Sequence, residues 1–143
     1  MPTSYNTTLI VAAGLSVIAA LLHVACIVGG PSWYRFFGAG EQMATAAAAG
    51  SWYPALATLA VTLVLLSWAA YALSAAGAIP ALPLLKVGII SITAVYLLRG
   101  LVLLPVLVLK PAMATPFVVW SSLICLGYGI VHLIGVAQVW SKL

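Results

Sequence analysis

Apolar residues run almost unbroken through four stretches of the chain, at about 8–28, 54–73, 84–109 and 116–140, and polar residues gather between them. A helix needs about 20 apolar residues to cross the hydrocarbon core of a bilayer, so each stretch predicts a transmembrane helix. The punctuation agrees. Gly29-Gly30-Pro31 breaks the first stretch, Pro54 suits the first turn of the second, and Lys110-Pro111 stops the third. Short connections between such helices predict an all-α integral membrane protein, a four-helix up-down bundle forming one transmembrane domain over residues 1–143.

Trp and Tyr test the register, because both collect at membrane–water boundaries. Four crossings place Trp33, Tyr34, Trp52, Tyr53 and Trp120 near one boundary and Tyr5, Trp68, Tyr71 and Trp140 near the other. Tyr96 and Tyr128 fall deep in their helices. The longest connection, 29–51, carries the aromatic block Trp33, Tyr34, Phe36 and Phe37 around Arg35, which suits an interfacial first loop. Within it, 41–49 predicts a short helix with Glu41 in its first turn. Pro105 is expected to kink the third span and free a carbonyl.

Composition then narrows the class. Of 143 residues, 66% are hydrophobic and 4% charged, against roughly a quarter charged in soluble domains. The cations Arg35, Lys86, Arg99, Lys110 and Lys142 stand singly, which argues against nucleic acid as a partner and for the lipid bilayer. Lys86 and Lys142 balance Arg35 and Lys110 across the membrane, so the positive-inside rule is tied. The amino terminus tips the expectation toward both termini being cytoplasmic. No basic region precedes the first apolar stretch, which is expected to stay in the mature protein. Cys26 and Cys125 lie inside apolar stretches and read as free thiols.

Helical spacing gathers the polar residues onto stripes: Ser16, His23 and Cys26 on the first helix, Thr58 and Thr62 on the second, Tyr96 and Arg99 on the third, and Ser121, Cys125, Tyr128 and His132 on the fourth. Lipid cannot satisfy such groups, so these stripes are expected to face inward. Gly14, Ser16, Ala19 and Ala20, with Gly127, Gly129 and Gly135, are candidates for close helix approach. At a rise of ~1.5 Å per residue, His23, Arg99, Cys125 and Thr62 come within roughly 3–7 Å of the midplane on the first-loop side, and His132 roughly 6 Å beyond it. The first four can share a pocket, with Tyr128 between them and His132.

Arg99 is the residue that most demands explanation, since a charge at the bilayer centre costs about 2.5–3.5 kcal/mol on insertion scales. Three partners are open to it: Glu41, the chain's one acidic side chain; an external anion or lipid headgroup; or backbone carbonyls reached by snorkelling. His23, Cys26 and Cys125 have metal-donor chemistry but lack a fourth ligand, so no metal site is assigned. Haem between His23 and His132 is disfavoured by a depth difference of about 13 Å. The cofactor is left open.

The segments GGPSWYRFFGAGE, YLLRG and WSSLICLGYGIVHLIG resemble small four-helix proteins of bacterial inner membranes, and in size and helix count the chain is similar to DoxX-like proteins. The resemblance implies a multi-pass inner-membrane location and carries no activity. Helix-borne charged motifs of the DoxX-like kind are not found, and two arginines do not match the arginine-rich thiolate site of four-helix glutathione-handling enzymes.

The leading expectation is a binding or transport protein for a small amphiphile or organic anion such as a lipid or quinone. Arg99 would hold its polar end, with His23, Tyr96, Thr62, Tyr128 and His132 around it and Glu41 and Arg35 in a lid. The alternatives are an enzyme using His23 or Glu41 as acid or base with Arg99 stabilising developing charge, and a subunit, as a homo-oligomer or in a larger membrane complex.

Overall fold

The computed structural model describes residues 5–143, and every regular element in them is helical. Helices α1 (Thr7–Gly29), α2 (Pro31–Phe36), α3 (Glu41–Ala48), α4 (Tyr53–Ala75), α5 (Leu85–Leu101), α6 (Leu103–Leu109) and α7 (Pro116–Val139) follow in order, with 3₁₀ turns at Pro111–Met113 and Trp140–Lys142. Four spans are long and apolar enough to cross a membrane: Thr7–Gly29, Tyr53–Ala75, Leu85–Leu109 and Pro116–Lys142. This is the architecture of an all-α, four-span membrane protein. The observed ends fall within two residues of the predicted ones.

Two details depart from expectation. The Gly29-Gly30-Pro31 breaker does not open a loop, because Gly30 turns the chain at a φ of 67° and Pro31 starts α2 at once. Proline is well suited to that position, having no N–H to leave orphaned. The third span passes from α5 to α6 at Val102, one residue past the carbonyl of Leu101 that Pro105 cannot bond. Val102 itself keeps helical dihedrals, φ −55° and ψ −24°, and the span runs on to Leu109, so the expected kink reduces to the one hydrogen bond that Pro105 cannot make.

The chain divides into two compact units, one of 5–16 with Ser67–Leu143 and the other Val17–Leu66. In the first unit α5 and α7 pack antiparallel, and glycine sets their distance. A Cβ on Gly100 would lie 2.7 Å from the Cα of Leu126, and one on Gly129 would lie 2.9 Å from the backbone nitrogen of Leu97. Small residues permit this approach in a membrane, where dispersion contacts replace the hydrophobic drive between helices.

Asn6 ties the helix ends of the same unit. Its Oδ1 accepts from the Leu9 N–H at 2.8 Å, capping α1, its backbone N–H donates to the Ala76 carbonyl at 3.0 Å, and its Nδ2 donates to Gln138 Oε1 at 2.8 Å. Substituting Asn6→Ala removes the cap and the Gln138 bond, and is expected to cost about 1–2 kcal/mol. Asn6→Asp keeps the cap and should recover about half, measured by unfolding in mixed micelles.

In the second unit Cys26 is buried with Tyr34 and Ala44, and Phe37 and Ala47 pack against them. The thiol thus serves as a small core group.

Candidate functional site

Arg99 lies on α5 about 3 Å past the middle of its span at the helical rise. Its Nη1 donates to Ser122 Oγ at 2.9 Å and its Nη2 to Ser121 Oγ at 3.0 Å. Gly100 faces Leu126, so these serines stand about one turn nearer the start of α7 than Arg99's own level. The guanidinium therefore leans toward the α6–α7 end, against the usual tilt of helical side chains toward their own N-terminus. Ser122 is fully buried, whereas Arg99 is exposed along its flank.

The serine oxygens are neutral, so two hydrogen bonds orient the guanidinium without cancelling its charge. Five N–H groups belong to an arginine side chain. Two are used, leaving the Nε–H and one hydrogen on each terminal nitrogen for an acceptor at the exposed flank.

One turn before Arg99 stands Tyr96, itself buried, at the centre of an aromatic cluster. Its ring meets Trp68 at 5.0 Å, His132 at 5.1 Å and Tyr128 at 5.6 Å between centroids, and its hydroxyl shares a 3.0 Å hydrogen bond with Ser16. His132 is fully buried and its Nδ1 lies 2.9 Å from the Tyr128 carbonyl. That contact needs a proton on Nδ1, which leaves Nε2 of a neutral ring as an acceptor. Among the described residues Nε2 has no hydrogen-bond partner.

Tyr96, Tyr128, His132 and Arg99, all singled out by spacing, are thus brought together in the first unit. The second unit holds His23, Thr62, Arg35 and Glu41. His23 Nδ1 lies 2.7 Å from the Ala19 carbonyl, and Thr62 donates its hydroxyl to the Thr58 carbonyl at 3.0 Å. Glu41 is engaged by Arg35. Arg35 Nε donates to Oε2 at 2.9 Å and to Oε1 at 3.1 Å, Nη2 donates to Oε1 at 2.8 Å, and Thr45 Oγ1 adds a bond at 3.2 Å. These two residues act on each other across the turn between α2 and α3. Among the described residues no group of three or more His, Cys, Asp or Glu is placed to hold a metal ion. Cys26 and Cys125 are free thiols.

The arginine hydrogen bonds hold the Glu41 carboxyl below its ordinary value of 4.5, with the charge of Arg35 and the Thr45 hydroxyl assisting. A lowered folded pKa means that the pair's stabilisation is complete above the unfolded value and is lost as pH falls through the folded one. As Glu41 is the one acidic side chain, ¹³C-labelled glutamate gives a single side-chain carboxyl resonance. Its titration midpoint is expected below 4.5, moving up toward that value in Arg35→Gln. A midpoint unchanged by the substitution would count against the pair.

A cleft of about 410 Å³ opens at the ends of the first unit's helices, lined by Tyr5, Asn6, Ser74, Gln138 and Lys142 among others. Arg99 does not line it. Asn6, Ser74 and Gln138 are already engaged in hydrogen bonds there.

Comparison with known proteins returned no match, whether to a family model, a curated protein or a solved structure.

Proposed function

We propose that this chain is a membrane-embedded binding or transport protein for an anionic amphiphile, whose charged end pairs with Arg99. The observation that carries the reading is the guanidinium itself. It stands within the third span, fixed by Ser121 and Ser122 with three N–H groups left over, while the chain's one carboxylate side chain is engaged by Arg35. A charge retained at this depth is commonly a ligand or ion-pair site.

The sequence led us to expect a pocket open toward the first loop. Arg99 instead stands on an exposed flank of an apolar helix, beside Leu98 and Val102, which are also exposed. That setting favours an occupant arriving from the bilayer, with an alkyl chain to lie along the helix and an anionic head to meet the guanidinium. Tyr96, Tyr128 and His132 meet as a ring cluster in the same unit. The resemblance to small bacterial inner-membrane proteins supports placing the site in that membrane, and the charge of the amino terminus supports cytoplasmic termini.

Native mass spectrometry tests the preference. Protein exchanged into neutral detergent with equal amounts of phosphatidylglycerol and phosphatidylcholine should retain the anionic lipid preferentially. Equal retention of the two would contradict the reading.

A further inference from the structure

The α2–α3 connection of the second unit has a surface that its own packing does not explain. Tyr34 on α2 and Phe37 at its C-terminal cap, three residues apart, turn toward Cys26, Ala44 and Ala47. Trp33 and Phe36, also three apart, turn outward, 40% and 76% exposed, and Trp52 and Tyr53 at the start of α4 are 71% and 61% exposed. Arg35 is also exposed, and its charge is met by Glu41. Trp33 and Phe36 lean on Phe37, with ring centroids 5.6 Å and 5.0 Å away, and keep their outer faces open, so this short segment carries one aromatic side against its own unit, a second open on its outer face, and a neutralised charge.

The occupant follows from continuity with the spans. The connection leaves the end of α1 through Gly30 alone and enters α4 four residues after α3, so its ends are fixed at one membrane boundary. Aromatic rings with exposed faces at that depth match the headgroup layer, where Trp and Tyr partition. We propose that residues 31–53 dock on the headgroup layer of the bilayer through Trp33, Phe36, Trp52 and Tyr53, with the Arg35–Glu41 pair making that docking indifferent to lipid charge. Glu41 here acts as a charge mask: without it Arg35 would add attraction to anionic lipid, worth about fivefold in affinity for one cation near such a surface.

A nitroxide on Phe36→Cys, in a Cys26→Ala, Cys125→Ala background, reads this in vesicles. Its oxygen-to-nickel accessibility ratio should exceed that of a label on Gln42→Cys several-fold, equally in phosphatidylcholine and in vesicles with phosphatidylglycerol. Adding Glu41→Gln should make the ratio at 36 rise with phosphatidylglycerol. Nickel accessibility equal to that at 42 would overturn the docking. Dipolar broadening between labels, showing a second copy on this face, would overturn it too. A charge dependence already present with Glu41 intact would overturn the mask. Should the cysteine-free background not fold, Trp68→Phe, Trp120→Phe, Trp140→Phe protein leaves Trp33 and Trp52 as reporters. Brominated phosphatidylcholine should quench them, and unquenched emission overturns the proposal.

Discussion

Arg99→Gln is expected to lower retention of an anionic amphiphile about 10- to 100-fold, while binding of a neutral amphiphile of the same chain length stays within about twofold. The magnitude follows from a charge-assisted hydrogen bond, worth about 1.5–3 kcal/mol, with each 1.4 kcal/mol a factor of ten. Glutamine keeps a donor for the serines but has no charge. Arg99→Lys should fall between, because an ammonium restores the charge without the planar fork that meets Ser121, Ser122 and an anion together. Substituting Ser121→Ala and Ser122→Ala tests the positioning role. The charge remains but its orientation does not, so affinity should drop less than in Arg99→Gln. Competitive native mass spectrometry of each variant against the parent gives the ranking.

Gly100→Val is expected to destabilise the first unit by about 3 kcal/mol, the upper end of ordinary overpacking. A Cβ at Gly100 would meet the Leu126 backbone at 2.7 Å, and backbone cannot rotate away as a side chain can. Gly127 is the control, since a Cβ there has no atom within 4 Å. Gly127→Ala should be neutral or stabilising by up to about 1 kcal/mol, the intrinsic helix preference of alanine. Both are measured by unfolding in mixed micelles. The contrast also bears on the site. Spreading α5 from α7 would pull Arg99 from Ser121 and Ser122, so Gly100→Val should weaken anion retention as well.

These glycines show where the sequence stops being informative. The four spans were legible from length and hydropathy alone, because a bilayer imposes one simple requirement on each. Which glycine of Gly127, Gly129 and Gly135 meets a neighbour was not. Helices apolar on every side carry little periodic signal of which side packs, and only the fold places Gly129 on Leu97 and Gly135 on Leu9. Polar residues did carry that signal. Tyr96, Tyr128 and His132 were gathered by their stripes, and they meet as a cluster.

The partners of Arg99 were half visible. Ser121 was on the α7 stripe, but Ser122 lies one step off it and a lone serine is a weak mark in an apolar helix. Glu41 was weighed as a partner of Arg99 because it is the only carboxylate side chain. Its bonds to Arg35, six residues away, depend on the turn between α2 and α3, where Gly38 and Gly40 take φ values of 68° and 96°. That turn is unreadable in a sequence that predicts an interfacial loop, and no helix, over 31–36. Pro31 marked the helix start, yet its place after two glycines made it read as a stop.

The chain contains only two arginines, which makes the central claim directly measurable. Protein labelled with ¹⁵N-arginine gives two guanidinium Nε–H signals, assigned by Arg35→Lys. Titrating decyl phosphate into protein held in dodecyl maltoside should shift the Arg99 signal saturably and leave that of Arg35 in place. An Arg99 signal that does not move, or moves no more than with decyl maltoside, would contradict an anion site at Arg99.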